Sequence, residues 1–376
     1  MTSCFSRTAA GRLLLAAAAL LLLVRPVHAQ DLSTQAVATG LEHPWAVAFL
    51  PQGRFLVTER PGRMRVVSAD GKLGPALAGV PQVVAAGQGG LLDVVLDSGF
   101  ERNRTLFFCF SEPGPGGNST ALARAQLAAD GTRLEQVKVI FSQKPKVASN
   151  LHFGCRIAEA PDGNLFLTLG DRFSRKDDAQ TLDNHHGKVV RLTKEGAAAP
   201  GNPFSARTGA LAQIWSYGHR NPQGAAIAPD GTLWIHEHGP QGGDEINLPR
   251  AGANYGWPVI TFGENYGGGA IGEGIMRREG MEQPLHYWVP SIAPSGMAFL
   301  TSDRYGTAMK GNLFVGSLTF AYLARIELAG GKVVREHKLI AQQGERVRDV
   351  RQGPDGLLYL LTDSRNGKLL QLLPPR

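Results

Sequence analysis

One phrase that recurs six times along the chain constrains the fold more than any other feature of the sequence. Each clear copy contains a short apolar run, a turn of the Pro-Asp-Gly type and a second apolar run. Proline fixes φ and glycine accepts positive φ, so this tripeptide suits a tight turn between two strands. The turns of the clear copies are Pro51-Gln52-Gly53, Pro161-Asp162-Gly163, Pro229-Asp230-Gly231 and Pro354-Asp355-Gly356.

Two degenerate copies, which begin at Gly90 and Gly296, fill the gaps between the clear ones. Most copies close with a further strand that carries a basic residue, such as Lys188–Leu192. Six copies give a period of about 58 residues, longer than common propeller repeats because the loops are long. A β-helix needs shorter repeats, and a β-sandwich would not repeat one phrase six times. The sequence therefore predicts an all-β protein, a six-bladed β-propeller with four-stranded antiparallel blades.

The composition agrees with many short strands and excludes several other classes. Of the 376 residues, 43% are hydrophobic and 19% are charged, which is enough apolar material for a large core and excludes wholesale disorder. The 47 glycines and 23 prolines follow no period, which excludes collagen and argues against a bundle of long helices. The loops of a propeller gather at the ends of its channel, so the long inserts at 171–188, 192–214 and 237–266 direct the search for function.

The first residues have the pattern of a secretory signal peptide. Arg7 and Arg12 precede the apolar run 13–24, and Ala29 ends a small-residue cleavage pattern. The apolar run is shorter than the roughly 20 residues that a membrane span needs. We therefore expect cleavage of residues 1–29, export to the periplasm, a propeller domain over residues 30–376 and no membrane span.

The net charge gives no support for nucleic-acid binding. Loss of residues 1–29 removes three arginines and no acidic residue, which leaves 36 basic residues against 32 acidic ones and a net charge of about +4. Anionic small ligands remain compatible with this charge. Cys109 and Cys155 are the two cysteines left, and in an oxidising compartment they can either pair or remain buried thiols.

Polar, glycine-rich segments occupy corresponding loop positions of the copies, at 87–90, 150–154, 218–224 and 237–245. Arg346 and Arg348 stand two apart on a predicted strand and so point to one face. If that face lines the channel, the pair forms a forked clamp for carboxylates, and otherwise it is solvated. His152 can be a general base at neutral pH or a hydrogen-bonded structural histidine.

The same segments contain candidate metal ligands. Asp244 and Glu245, oxygen donors in a glycine-rich loop, indicate calcium rather than zinc. The histidine pairs 185/186 and 236/238 lack an obvious third ligand, and we predict that all four are structural.

Together these segments resemble the soluble aldose sugar dehydrogenases that use pyrroloquinoline quinone (PQQ), relatives of soluble glucose dehydrogenase. The resemblance runs from Leu41 to Asp363 and is most specific between His238 and Pro258. It implies that His152 is the catalytic base, which takes the proton of the anomeric hydroxyl as hydride moves to the quinone, with Arg220 also at the catalytic centre. The cofactor contacts that it implies are Gln88, Arg220, Asn221, Tyr266, Arg346, Arg348 and Asp363.

The resemblance also implies calcium. The main-chain carbonyls of Gly239 and Pro240 match the positions that hold the ion beside PQQ, and Glu245 and Tyr255 match a second calcium site. PQQ is a planar tricarboxylate quinone, so guanidinium clamps suit its chemistry.

Three positions depart from the family pattern. Thr319 aligns where relatives commonly carry a lysine, which removes one cationic contact to PQQ. Arg172 stands where some relatives carry a glutamine on the cofactor. Leu151 replaces the aspartate of glucose dehydrogenases, which favours the broader-specificity aldose branch.

The leading hypothesis is an exported, calcium- and PQQ-dependent enzyme that oxidises aldoses to lactones. Because the sequence has no haem-attachment motif, electrons would pass to a separate acceptor. The alternatives are a calcium-dependent lactonase-type propeller hydrolase and a non-catalytic binding propeller. The sequence leaves the preferred sugar, the physiological acceptor and the oligomeric state open.

Overall fold

The structure, a computed structural model, describes residues 32–375 of the chain. The predicted signal peptide, residues 1–29, lies outside the described residues. The described part forms six sheets of four antiparallel strands, which confirms the predicted six-bladed β-propeller. Its helices are α1 (Phe100–Asn103) and two 3₁₀ turns, Lys176–Gln180 and Ala341–Gln343. None of these helices has the length and hydropathy to cross a membrane.

Each blade is built from four strands, which follow one another from the axis of the propeller outward. The first blade contains β2 (Pro44–Leu50), β3 (Arg54–Glu59), β4 (Arg63–Val67) and β5 (Leu73–Ala76), and the second contains β6 (Leu91–Leu96), β7 (Thr105–Gly114), β8 (Gly117–Leu127) and β9 (Leu134–Ser142). The third contains β10 (Gly154–Glu159), β11 (Leu165–Leu169), β12 (Lys188–Leu192) and β13 (Ile214–Tyr217), and the fourth contains β14 (Pro222–Ile227), β15 (Leu233–Glu237), β16 (Asp244–Asn247) and β17 (His286–Trp288). The fifth contains β18 (Pro294–Phe299), β19 (Leu313–Ser317), β20 (Leu323–Ala329) and β21 (Lys332–Leu339), and the sixth contains β22 (Val347–Gln352), β23 (Leu358–Thr362), β24 (Gly367–Leu373) and β1 (Ser33–Leu41).

The first described strand closes the ring. β1 is the outermost strand of the last blade and pairs antiparallel with β24, from Ser33 opposite Leu373 to Leu41 opposite Gly367. Backbone hydrogen bonds between the two ends of the described chain therefore complete the sixth blade. Closure of this kind protects the sheet edges that an open array would expose.

The repeated phrase forms the two innermost strands of every blade, and in the four clear copies these strands are joined by the predicted tight turns. In the third blade Gly163 has a φ of 81°, and Asp162 Oδ1 accepts a hydrogen bond from the main-chain N of Asn164 at 3.0 Å. In the fourth blade Asp230 accepts from the main-chain N of Thr232 at 3.0 Å. The aspartate thus closes the turn that proline and glycine permit.

Burial differs from the simple alternation expected of a strand with one core face. β11 and β19 are buried along their whole length, whereas the outermost β9 alternates between half-buried and exposed residues from Glu135 to Lys138. The inner strands are covered on both faces because each blade is packed between two neighbours. Apolar side chains therefore occupy both faces of the inner strands, and only the outer strands meet solvent.

The long loops lie at opposite ends of the propeller. Residues of the β11–β12 and β16–β17 loops border one cavity together with His152. The insert 192–214 lies at the other end, where Arg191 of β12 pairs with Asp162 of a hairpin turn. This insert is therefore not part of the loop cluster that surrounds His152.

A disulfide joins the second and third blades. Cys109 of β7 and Cys155 of β10 are paired, with their Cα atoms 5.7 Å apart, and both residues are fully buried. Of the two possibilities that the sequence left open, the structure has the disulfide. It ties β10 to its neighbour three residues after His152.

Reduction of this disulfide should lower the free energy of unfolding by about 2–4 kcal/mol, because the unfolded chain gains conformations when a cross-link is removed. The cross-linked cysteines are 46 residues apart. Denaturant unfolding of the wild type with and without reductant measures the difference. The Cys109→Ala/Cys155→Ala variant is the control, since reductant should leave its midpoint unchanged. Equal midpoints for the wild type in both conditions would contradict the pairing.

Candidate active site

His152 lies two residues before β10, the innermost strand of the third blade, in a segment with an unusual backbone. The φ angles of His152, Gly154 and Cys155 are 51°, 65° and 76°. This left-handed region is rarely occupied by residues other than glycine, and surrounding contacts must impose it. The His152 side chain borders a cavity of about 290 Å³, together with Trp257 and Tyr266.

Asp171, which follows β11, orients the His152 ring. Its Oδ1 lies 2.7 Å from His152 Nδ1 and also accepts from the main-chain N of Phe173 at 2.7 Å. The indole N–H of Trp257 donates to the other carboxylate oxygen at 2.7 Å. Although burial opposes it, the hydrogen bond with His152 holds the pKa of Asp171 below its ordinary value. An ionised carboxylate only accepts, so Nδ1 carries the proton and Nε2 keeps its lone pair.

The His152 imidazole is neutral at neutral pH. Burial lowers its pKa below the ordinary value of 6.5, and the positive charges of Arg220 and Arg172 act in the same direction. The Asp171 carboxylate opposes this shift without reversing it. A neutral imidazole with a free Nε2 beside a cavity has the properties of a general base.

A second cavity, of about 400 Å³, is bounded by residues from several blades. Its polar and aromatic lining comprises Trp45, Arg60, Gln88, Phe153, Gln223, His238, Thr319, Arg346, Arg348 and Asp363. Arg348 donates to Asp363 at 2.8 Å, and the more exposed Arg346 lies 3.5 Å from the same carboxylate. Both arginines border this cavity, although Arg346 precedes β22 instead of lying on it. Asp363 acts here as the partner of the arginines.

Three buried guanidinium nitrogens among residues 32–375 lack acceptors, and two of them belong to residues that border the cavities, whereas the third, on Arg325, borders neither. The Nε atoms of Arg220 and Arg348 have no hydrogen-bond partner among residues 32–375, and Arg220 borders the cavity of His152. A buried donor without an acceptor costs about 1–3 kcal/mol. Donors of this kind at the walls of adjoining cavities fit an anionic ligand that supplies the missing acceptors.

Two of the predicted cofactor contacts also support the segment that carries His152. Gln88 Oε1 accepts from the main-chain N of His152 at 2.8 Å, and Asn221 Oδ1 accepts from the main-chain N of Gly154 at 3.1 Å. Gln88 borders the 400 Å³ cavity. Asn221 is buried and borders neither of the two cavities, so its amide serves the backbone of the segment.

The predicted calcium loop is held by Asp244. The carboxylate of Asp244 accepts from the main-chain N–H groups of Gly239, Ile292 and Ala293 at 2.8–3.0 Å. Its oxygens are therefore occupied within the loop. The Gly239 carbonyl accepts from Arg220 at 2.8 Å, and Pro240 borders the cavity of His152.

Gly239 is required by the close packing of this loop. A Cβ added at this position would lie 2.1 Å from the Gly242 carbonyl oxygen. Only glycine therefore allows the two backbone segments to approach so closely.

Glu245 and Tyr255, the predicted second metal site, border one small void together with Glu237. Burial and the nearby Glu237 carboxylate raise the pKa of Glu245 above its ordinary value. The buried Oδ1 of Asn247 has no partner among the described residues. Crowded carboxylates and a free amide oxygen suit calcium. The described residues contain no metal-binding cluster of three His, Cys, Asp or Glu side chains, so a cation here would also need other oxygens.

Tyr266 and Thr319 lie at the mouth of the site. The Tyr266 hydroxyl accepts from Arg220 at 3.3 Å, and 63% of the residue's surface is exposed. Thr319 borders the 400 Å³ cavity and an adjoining cleft of about 610 Å³, which Tyr266 also borders. Thr319 thus borders the site, but it has a hydroxyl group where relatives commonly have the ammonium group of a lysine.

Several residues at the cavities were not assigned from the sequence. Trp45 lies in an apolar run and has the sequence pattern of a core residue. The positions of Asp171 and Trp257 at the cavity of His152 depend on contacts between blades. His238 was predicted to be structural, and its Nε2 does lie 2.7 Å from the Pro294 carbonyl, yet it also borders the 400 Å³ cavity. Two sequence features could have identified two of these residues. Asp171 follows the end of a predicted strand, and Trp257 lies within residues 238–258, where the resemblance to the family is most specific.

Comparisons with known proteins show the family of this chain. The family model described as glucose / sorbosone dehydrogenase matches residues 41–371. The aldose sugar dehydrogenase YliI of Escherichia coli (strain K12) is 45% identical over 338 residues, which cover 89% of this chain and 91% of that protein.

Two solved structures extend the comparison. The apo-form of the soluble aldose sugar dehydrogenase from Escherichia coli has a TM-score of 0.88 at 43% identity and covers 92% of this chain and 100% of its own. The PQQ-bound form of the aldose sugar dehydrogenase from Streptomyces coelicolor has a TM-score of 0.75 at 29% identity and covers 91% of this chain and 99% of its own. The resemblance predicted from the sequence is thus confirmed, and the chain belongs to the glucose/sorbosone dehydrogenase family of oxidoreductases.

Proposed function

We propose that this protein is a PQQ- and calcium-dependent dehydrogenase that oxidises aldoses at the anomeric carbon to lactones. The observation that carries the proposal is the neutral, carboxylate-oriented His152 beside the unpartnered guanidinium nitrogens of Arg220 and Arg348. Membership of the family supports sugar dehydrogenase activity. The PQQ-bound relative from Streptomyces coelicolor supports the choice of cofactor.

The residues present fit the proposed cofactor PQQ and calcium. Arg346 and Arg348 would pair with carboxylates of PQQ, and Arg220 and Gln88 would donate to its remaining oxygens. The main-chain carbonyls of Gly239 and Pro240 would hold calcium beside the cofactor. A second calcium would bind at Glu245 and Tyr255, and Tyr266 would complete the surroundings of the cofactor. Asn221 would act through the backbone of the segment that carries His152. The chemistry supplied by the bound groups is acceptance of a hydride by a quinone that calcium polarises.

His152 performs the proton transfer in this proposal. Its Nε2 takes the proton of the anomeric hydroxyl, and the Asp171 carboxylate stabilises the imidazolium that results. Trp257 keeps Asp171 in place through its indole hydrogen bond. The sugar would occupy the 290 Å³ cavity between His152, Trp257 and Tyr266.

The remaining parts of the proposal concern cellular context. We propose export to the periplasm and transfer of electrons to a separate acceptor, on the evidence of the first 29 residues and of the missing haem-attachment motif. A lactonase or a non-catalytic binding propeller would leave the unpartnered nitrogens of Arg220 and Arg348 without a ligand of matching charge.

Dye reduction by the purified protein with an aldose should require PQQ and calcium together. Glucose, xylose and maltose are each assayed with both additions, with each alone and with neither. The His152→Ala variant is the control for reduction that does not depend on the site. Absence of both activity and calorimetric PQQ binding in the wild type would refute the proposal, and lactone hydrolysis would be tested next.

His152→Ala and Asp171→Asn should lower kcat by on the order of 10²–10⁴-fold, because one removes the base and the other its orientation and tautomer. PQQ affinity should stay within about threefold in both variants. The neutral fraction of a base falls as the pH drops through its pKa, so the acid limb of the wild-type kcat/KM profile should lie below pH 6.5. Full turnover in His152→Ala would remove this residue from the mechanism.

Arg348→Met should weaken PQQ binding by about 1.5–3 kcal/mol, which is the contribution of a hydrogen bond to a charged group. Arg346→Met is the matched comparison on the same wall. Its smaller expected effect follows from a side chain that is 52% exposed and screened by water. Calorimetric titration with PQQ in calcium buffer measures both variants. Equal affinity of Arg348→Met and wild type would mean that the arginine wall does not bind the cofactor.

A further inference from the structure

We propose that Arg172 is a positioning residue that holds the segment 149–153 in the backbone conformation that brings His152 onto Asp171. The inference deepens the proposed function and rests on the role of His152 as the base. Arg172 is next to Asp171 in sequence, so two consecutive residues would fix the backbone and the ring of His152, respectively.

The guanidinium of Arg172 is fully buried and donates to main-chain and amide oxygens alone. Its Nε donates to the Leu151 carbonyl at 3.0 Å, and its Nη1 donates to the Asn118 carbonyl at 3.0 Å. Its Nη2 donates to Asn118 Oδ1 at 2.6 Å and also to the Ser149 carbonyl. One side chain thus connects a strand of the second blade with two carbonyls on the N-terminal side of His152.

The contacts of Arg172 continue on the other side of His152. The Phe153 ring packs against the guanidinium, whose Cζ lies 3.9 Å from the ring centroid. Ser149 Oγ donates in return to the main-chain carbonyl of Arg172 at 2.8 Å. The residues before and after His152 are therefore both held by Arg172.

These contacts matter because the backbone that carries His152 is strained. His152 has a φ of 51° and Arg172 has a φ of 60°, both in the left-handed region. A residue in this region persists only where its neighbours impose the conformation. If the carbonyls of Ser149 and Leu151 lose their donors, the segment can relax and carry the His152 ring away from Asp171. A displacement of about 1 Å at a catalytic group can lower the rate about 100-fold.

The position of Arg172 argues against a direct contact with the cofactor. Arg172 borders neither the 400 Å³ cavity nor the cavity of His152, although some relatives carry a cofactor-contacting glutamine at this position. Burial lowers the pKa of the guanidinium to about 10, so the group stays positively charged at neutral pH. A buried charge whose acceptors are only carbonyl and amide oxygens costs folding free energy. An arginine at this position is therefore consistent with a need for the forked geometry of the guanidinium, which donates to several acceptors at once.

The test measures kcat, KM and PQQ affinity for Arg172→Met and Arg172→Lys. We expect kcat to fall by about 10–100-fold in Arg172→Met, with KM and the PQQ dissociation constant within about threefold of wild type. Arg172→Lys keeps the charge but cannot serve all four acceptors, so we expect a smaller loss of kcat in the same pattern. The lysine variant also serves if the methionine variant does not fold.

Arg104→Met is the matched control. Arg104 also has a left-handed φ, of 55°, and its guanidinium also donates to main-chain carbonyls, those of Leu127 and Ala128. It borders neither cavity. Its loss should therefore lower stability without changing kcat.

A second readout needs no cofactor. The Nδ1 proton that His152 shares with Asp171 should give a downfield proton resonance in the cofactor-free protein, assigned by its absence in His152→Ala. We expect this resonance in the wild type and in Arg104→Met, and its loss in Arg172→Met.

Two results would overturn the inference. Wild-type kcat and an unchanged resonance in Arg172→Met would show that the segment keeps its conformation without the arginine. A large loss of PQQ affinity with kcat preserved at saturating PQQ would make Arg172 a cofactor contact instead. Failure of the proposed function is seen separately: full turnover in His152→Ala would remove the base, while the resonance would still report whether Arg172 orients the ring.

Discussion

The guanidinium of Arg156 lies at the axis of the propeller, where the innermost strands of several blades meet. It contacts one or two residues from each of four other blades: Trp45, Asp93, Gln223, Arg348 and Asp349. A fully buried cation needs carboxylate partners, and Asp93 and Asp349 are shared with a second arginine, Arg351, so the group is neutral overall. Three of the residues that contact Arg156, namely Trp45, Gln223 and Arg348, also border the 400 Å³ cavity. The contacts that join five of the six blades thus form part of the wall of the site.

On this scaffold the site combines two kinds of chemistry. His152 is kept neutral by burial and oriented by Asp171, which suits proton transfer. Arg348 and Arg220 keep buried guanidinium nitrogens available, which suits an anionic cofactor. His152 lies on a strained backbone, and contacts from neighbouring loops maintain that strain. The precision of the site therefore comes from packing between blades, and loops on a rigid scaffold carry the reactive groups.

Much of the architecture could be predicted because its signals are local. The turn at Pro161-Asp162-Gly163 closes within a few residues, so its hairpin can be recognised from the sequence alone. The spacing of two residues also led to Arg346 and Arg348 at one cavity, although Arg346 precedes β22. Burial on both faces of inner strands such as β11 could not be predicted in this way, because it depends on neighbouring blades. Trp257 was missed as an active-site residue because its partner Asp171 is distant in sequence and belongs to another blade.

The sequence by itself determined the six repeated hairpins, the all-β class and, through its resemblance to a family, the residues expected at the site. Turn-forming residues and strand periodicity act over a few residues, so they can be recognised from the sequence alone. Only the tertiary structure decided that Cys109 pairs with Cys155, that Asp171 orients His152 and that Arg172 faces the backbone rather than the cavities. Each of these contacts joins residues that are 19 to 46 positions apart. Their partners are set by how the blades and loops pack, because burial, strain and hydrogen bonding are properties of the assembled ring.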